Sequence, residues 1–350
     1  MRLTFRPFTV KKRVPLTISR GTHSQSTNFW VQIEQDGLEG WGEATPFSIG
    51  SLSFMTDAIA AELTNLSPEL TPYHPLDRQA IHRHLDQLRT SSPVRAAIDV
   101  ALHDWLGKQT AMPLWQIWGL ACQPAAPISV TIGISSPTAA QQRLQDWLQQ
   151  GPFQAVKVKL GSPEGIDADQ AMIIAILEKL PAHTQLSVDA NGGWSLSDAL
   201  TMSTWLAHKG VTYLEQPLPV DRAAELAILY EKSSLPIFVD ESCFTSRDIP
   251  PLADRVHGIN IKLMKSGGLS EAYRMIHTAH ACGLQVMFGC YSDSSLSNTA
   301  LAHLSSLATH LDLDSHLNLV NDPFSGASFQ DGHLLPNRAP GLGLSYHAKH

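Results

Sequence analysis

AVKVKLG, residues 155–161, is a short apolar run that carries two lysines, Lys157 and Lys159, at alternate positions. Four further apolar runs each end on a charged residue. These are Asp189 in QLSVDANGGW (185–194), Glu215 in VTYLEQPL (211–218), Asp240 in PIFVDES (236–242) and Lys262 in GINIKLMKSGG (258–268). From Lys159 the successive steps are 30, 26, 25 and 22 residues, the length of one strand plus one helix. The rhythm predicts parallel strands joined by helices and closed into a barrel, with chemistry at the C-terminal ends of the strands. ISVTIGI, LQVMFGC and HLDLDS bring the predicted strands to eight, beginning near residue 127. Ser195 and Ser197, ahead of DALTMSTWLAH, supply an N-cap for one of the intervening helices.

Residues 1 to 122 follow another pattern. LTFRPFTV, NFWVQIEQ and LEGWGEATP predict an antiparallel sheet, with Asp36-Gly37 as a hairpin turn. Helices are predicted near 54–65 and 77–89. A third begins at Pro93 and repeats Val94, Ala97, Val100, Ala101 and Trp105 at helical spacing. The expected organisation is an α+β domain over 1–122 and a barrel over 123–321. The Pro- and Gly-rich segment 322–350 is expected to return to the first domain.

With 43% hydrophobic and 16% charged residues in 350, the chain reads as globular and large enough for a core without disulfides. A net charge of -7 argues against nucleic acid or an anionic membrane as partner. Cys122, Cys243, Cys282 and Cys290 show no paired spacing and read as thiols in a reducing compartment. The N-terminal MRLTFRPFTVKKR lacks the apolar core of a signal peptide, so a cytoplasmic location is expected. The 16 histidines form no H-E-x-x-H-type cluster, and His277 and His280 read as surface residues. The glycines at 267–268 could cradle an anion at the next helix, and Trp194 reads as packing.

Strand side chains alternate, so Lys157 and Lys159 share a face, as do Asp189 with Asn191 and Asp312 with Asp314. In a barrel that face is the interior, and its last residue reaches the mouth. Three carboxylates on consecutive strands repel one another unless a cation sits among them, and an all-oxygen set favours Mg²⁺ over zinc. Helix capping or loop solvation is the alternative for these carboxylates, and simple neutralisation of them is the alternative for the lysines. A lysine becomes a base only if its ammonium is disfavoured, as by Lys157 beside Lys159, Lys265 near Lys262 and the metal itself. The parts suit removal of a proton next to a substrate carboxylate, with charge stabilised on its oxygens. One lysine would take the proton and the other return it to the opposite face, inverting a stereocentre.

The Lys-x-Lys pair, DANGGW, EQP, DES and NIKLMKSGG, with GWGEATP and RAAIDVALHDWLGK before them, resemble the enolase superfamily in its muconate-cycloisomerase subgroup. The resemblance covers nearly the whole chain and implies a (β/α)7β TIM-like barrel under an α+β capping domain. It implies that Asp189, Glu215 and Asp240 bind Mg²⁺ and that Lys159 and Lys262 are the acid/base pair working through an enediolate. HLDLDSHL looks like the dipeptide epimerases, which implies that Asp312 and Asp314 hold a substrate ammonium. Arg20 matches a position where Ala-Glu epimerases carry an arginine for the side-chain carboxylate, on a loop expected to close over the site. Lys157 and Lys265 are counted with these as substrate contacts, and Asn191, Asp293 and Ser315 as further pocket residues. Asp293 and Ser315 stand where many relatives have glutamate and glycine, which bears on specificity.

The expected function is therefore Mg-dependent epimerisation of a dipeptide such as L-Ala-D/L-Glu, a small-molecule substrate, by a chain that relatives suggest as a homo-oligomer. An o-succinylbenzoate synthase or muconate-type cycloisomerase on the same fold is the alternative, although its substrates lack an ammonium for Asp312 and Asp314. A Schiff-base lyase would use a barrel lysine against a carbonyl, but it has no need of three carboxylates. A non-catalytic binding protein leaves the set of five charged residues unexplained.

Overall fold

A computed structural model describes residues 1–123 and 126–347. The expected domain boundary adjoins residues 124–125, and the last three positions of the expected C-terminal return, 348–350, lie outside the described residues. The chain opens with an antiparallel sheet of β1 (Arg2–Ile18), β2 (Gly21–Gln35) and β3 (Leu38–Ala44). Asp36 and Gly37 both take positive φ, 54° and 76°, as a tight two-residue hairpin turn requires. A small hairpin follows, β4 (Phe47–Ile49) and β5 (Leu52–Phe54). Then come helices α1 (Thr56–Glu69), α2 (Arg78–Gln87), α3 (Ser92–Gln109) and the short α4 (Leu114–Ile117).

Alternation along β2 sorts its side chains. Phe29, Val31 and Ile33 join Ile59, Leu63, Ile81 and Ala97 in the core beneath the helices. Trp30, on the opposite face, belongs with Trp41 to the larger core shared with the barrel. Two glycines bring β3 against α3. A Cβ on Gly40 would lie 2.0 Å from the Ala101 carbonyl oxygen, and one on Gly42 would lie 1.8 Å from that of Ala97.

The second unit holds eight parallel strands: β6 (Ser129–Ile132), β7 (Ala155–Lys159), β8 (Gln185–Asp189), β9 (Val211–Glu215), β10 (Ile237–Val239), β11 (Gly258–Ile261), β12 (Gln285–Gly289) and β13 (His310–Asp312). They neighbour one another in sequence order, and a parallel bridge between Ile128 and Leu311 closes the ring. Outside run α5 (Pro137–Gln150), α6 (Ile166–Leu177), α7 (Leu196–His208), α8 (Leu226–Lys232), α9 (Leu263–Ser266), α10 (Leu269–Ala281) and α11 (Ser295–Ala302). This is the nearly closed enolase-type barrel under an antiparallel α+β cap. Register fixes the rim: Lys159 pairs with Asp189, and Asp189 with Glu215.

The predicted elements lie close to their places, and Ser195 does cap α7, accepting from Asp198 N at 3.2 Å. The glycines at 267–268 donate to Leu263 O, and bare Gly268 leaves room for one of the protein's own carboxylates, since a Cβ there would lie 2.5 Å from Asp99 Oδ2. Asp99, on α3, accepts from Ser270 N at 2.9 Å and Ser270 Oγ at 2.6 Å at the start of α10. His277 and His280 are exposed, and Trp194 is buried with Nε1 donating to Asp169 at 2.9 Å. In the C-terminal stretch Tyr346 stacks on Trp41 of the cap, while Phe329 packs on Phe153 and the Asp331 carbonyl accepts from Gln154 Nε2 on the barrel; just before it, Asn321 bonds the β1 backbone at Thr9 and Lys11. No helix among the described residues is long and apolar enough to cross a membrane.

Candidate active site

Five charged side chains from five consecutive strand ends meet at the barrel mouth, all of them buried. Lys159 Nζ donates to Asp189 Oδ2 at 2.6 Å, and Lys262 Nζ to Asp240 Oδ2 at 2.7 Å. Asn260 Nδ2 holds Glu215 Oε1 at 2.7 Å, and Gln216 Oε1 accepts from Asp240 N at 2.9 Å. Asn191 and Gln216 follow the strand-end acids with φ of 45° and 35°, backbone that L-residues rarely adopt and that clusters at functional sites. Gly289 makes room for Lys262: a Cβ there would lie 2.9 Å from Lys262 Cε.

Lysines 159 and 262 line one cavity of about 300 Å³, roofed by Lys12, Leu16, Arg20 and Phe47 of the cap. A wider cavity of about 850 Å³ adjoins it, shares Arg20, Gly50 and Asn191, and is walled by Ile49, Leu218 and Phe244. On the other flank a pocket of about 50 Å³ brings Asp312, Asp314 and Ser315 beside Lys159. Arg20 Nη1 lies 2.8 Å from Glu241 Oε1 and donates to the Asn191 carbonyl at 2.9 Å, while Ser19 Oγ donates to the same carbonyl at 3.0 Å. The cap loop thereby grips the loop after β8. Asn191 also donates to Asp189 Oδ2 at 3.1 Å and Glu241 Oε1 at 3.3 Å.

Three expectations need correction. Lys157 is fully buried below the rim: its Nζ donates to Asp312 Oδ2 at 2.6 Å and lies 2.5 Å from Glu215 Oε2, although not in hydrogen-bond geometry. Lys265 is equally enclosed, its ammonium spent on the carbonyls of Asp240, Cys243 and Asn260 and on Asp240 Oδ1 at 2.6 Å. Neither lines the three cavities just described, and their partners suit them to support the rim. Asp293 is buried and is not among the residues lining these three cavities; its Oδ2 accepts from Tyr291 N at 3.0 Å. Strand alternation correctly aimed Lys157 inward, but depth along the barrel axis decides which inward residues reach the mouth.

Sequence reading missed Lys12, whose Nζ donates to Ser292 Oγ at 2.8 Å and which lines the central cavity. Its position in a cap strand carried no signal of convergence. Glu241, Gln216 and Asn260 stood inside DES, EQP and NIK and were legible there, but only as neighbours of the acids.

The electrostatics are those of a crowded acid cluster. Burial and then Asp189 push the Glu215 carboxyl up to about 7, and burial and then Asp312 push Asp314 up to about 6. Burial disfavours the Lys262 ammonium, but Asp240 and Glu215 outweigh it and hold its pKa above the usual lysine value. With no cation among the acids, the carboxylates around Lys262 outweigh both its burial and the nearby Lys157. Among the described residues no three His, Cys, Asp or Glu side chains form a ready-made cage, since Asp189 and Asp240 are each drawn to a lysine. The donors nevertheless fit a hard cation. They are all oxygen and buried, and Glu215 Oε2 and Asp240 Oδ1 meet the Lys157 and Lys265 ammoniums as ion pairs without hydrogen-bond geometry, which leaves their lone pairs available to a cation.

This chain belongs to the enolase superfamily. Residues 2–119 match the mandelate racemase / muconate lactonizing enzyme N-terminal domain, and residues 139–350 match the enolase C-terminal domain-like family. Within it the chain is 42% identical over 344 residues to a hydrophobic dipeptide epimerase of Flavobacteria bacterium strain MS024-2A, covering 98% of this chain and 97% of that one. It is 34% identical to an L-Ala-D/L-Glu epimerase of Bacteroides thetaiotaomicron, covering 98% and 88%. Its fold superposes on the substrate-liganded L-Ala-D/L-Glu epimerase of Bacillus subtilis with a TM-score of 0.93 at 29% identity, covering 100% and 99%. It also superposes on a dipeptide epimerase of Enterococcus faecalis V583 complexed with Mg and L-Leu-L-Tyr, with a TM-score of 0.91 at 29% identity over 99% of each chain.

Proposed function

We propose that this protein is a Mg-dependent dipeptide epimerase that inverts the α-carbon of the C-terminal residue by two-lysine proton transfer. The observation that carries the reading is that Lys159 and Lys262, from strands on opposite flanks of the acid cluster, line one cavity. Asp189, Glu215 and Asp240 would hold the cation, which supplies positive charge against the substrate carboxylate as the α-proton leaves. Lys159 Nζ and Lys262 Nζ exchange the proton with that carbon, one removing it and the other returning it from the opposite side. Asp312 and Asp314 take the substrate's free ammonium, a role suited to two buried acids beside a cavity. Arg20, gripping the loop after β8, closes the cap over the substrate and excludes water. The domain boundary near residue 122 is part of the same proposal, with the cap carrying the roof and the barrel the chemistry.

The test is incubation with Mg²⁺ in D₂O and a panel of L,L-dipeptides that includes L-Ala-L-Glu and apolar members. Deuterium at the C-terminal α-carbon together with inversion is expected. Exchange in no member, with metal shown to be bound, would turn the assignment toward cycloisomerase or dehydration chemistry.

A further inference from the structure

Proton transfer by Lys262 needs its flexible arm aimed, since an error of about 1 Å in a reacting group costs on the order of a hundredfold in rate. Asp240 Oδ2 accepts from its Nζ at 2.7 Å. Gly289 leaves room beside Lys262 Cε, and the ring of Tyr291 lies against the arm, its centroid 4.7 Å from Lys262 Nζ. That ring stacks on Phe47 of β4, with centroids 4.6 Å apart and planes inclined by 14°. Phe47 in turn packs on Phe54 of β5 at 5.0 Å. The phenol oxygen of Tyr291 is buried and has no hydrogen-bond partner among the described residues, so ring contacts hold the side chain in place. Tyr291 also lines the central cavity and the small acidic one, at the junction of the two.

From this geometry we infer that Tyr291, backed by Phe47 of the cap, is a positioning residue for Lys262. The face of the ring holds the amine toward the substrate α-carbon and keeps water from it. Because Phe47 belongs to the capping domain, the base is aimed only while the cap hairpin sits on the barrel. The inference rests on the two-lysine reading of the reaction.

The experiment compares α-proton exchange in D₂O from the two epimers of one dipeptide, since each epimer yields its proton to a different lysine. The epimer served by Lys262 is the one whose exchange Lys262→Ala abolishes. Tyr291→Leu is expected to slow exchange from that epimer roughly tenfold more than from the other. Tyr291→Phe, which keeps the ring, should restore the wild-type ratio, and Phe47→Leu should skew it in the same direction as Tyr291→Leu. A change in packing alone would slow both epimers equally, and that result would overturn the proposal. A second readout needs no turnover: acetylation of lysines followed by peptide mass spectrometry. Labelling of Lys262 relative to Lys159 should rise in Tyr291→Leu and not in Tyr291→Phe, and an unchanged ratio would also overturn the proposal. Were the wild type to exchange no dipeptide, the epimerase reading would fall while the labelling still decided the contact.

Discussion

Lys159 and Lys262 have matching surroundings, and the match has consequences for single substitutions. Each is held by one carboxylate, Asp189 or Asp240, and each reaches the same cavity. Lys159→Ala and Lys262→Ala should each lower epimerisation by about 10³-fold or more, because inversion needs both a donor and an acceptor of the proton. Exchange without inversion from one epimer should survive in each variant, and NMR in D₂O distinguishes the two. Asp312→Asn and Asp314→Asn should act on binding, raising KM on the order of tenfold to a hundredfold through loss of charge-assisted hydrogen bonds. Steady-state kinetics showing an unchanged KM in both would remove them from the ammonium site. The acids and bases were legible because each ended an apolar run. Lys157 was misread because a strand's two-residue period gives the side of the sheet and not the height along the barrel.

Helix α3 binds the two halves of the molecule, and its contacts set the next two expectations. Gly42 of β3 lies so close to Ala97 of α3 that a methyl group has nowhere to go. Gly42→Ala should therefore destabilise the protein by about 2 kcal/mol or more, read as a lower midpoint in denaturant. Asp99 on the same helix anchors α10, and its carboxylate is fully buried. Burial opposes its charge, but His103 and His82 outweigh that and hold its pKa well below the ordinary aspartate value. A folded-state pKa below the unfolded one means the stabilisation is present above about pH 4 and fades as pH falls through the folded value. Burial pushes the His103 imidazole below its ordinary value, so the pairing weakens again as pH rises through the imidazole range. The stability difference between wild type and Asp99→Asn should accordingly be largest in the mildly acidic range above about pH 4 and shrink below it. A difference constant with pH would assign Asp99 a packing role. The helix was legible from its apolar repeat. Its partner was not, because a long-range contact between Asp99 and Ser270, 171 residues apart, leaves no local pattern. The turn at Asp36-Gly37 was legible because positive φ at both positions has a local chemical cause.

At the scale of the whole molecule, the barrel mouth stores unfavourable charge in one place. Asp189, Glu215, Asp240, Asp312 and Asp314 lie buried together, compensated by Lys157, Lys159, Lys262 and Lys265. Burial and Asp189 both push Glu215 toward its neutral form. A divalent cation among Asp189, Glu215 and Asp240 would relieve that repulsion in the folded state and find no comparable site in the unfolded chain. Binding to the folded state alone adds about 2.7 kcal/mol when free metal is a hundred times the Kd. Mg²⁺ should thus raise the thermal midpoint by a few degrees in a concentration-dependent way, and chelation should return it. Asp240→Asn should abolish the metal-dependent rise while leaving a folded protein, because the asparagine still fills the space but brings no charge. Asp314→Asn, outside the cation's ligands, should keep the rise. Calorimetric scans of the three proteins with and without Mg²⁺ decide the matter without substrate or turnover. An equal rise in wild type and Asp240→Asn would place the cation elsewhere and leave the three strand-end acids as partners of the lysines alone.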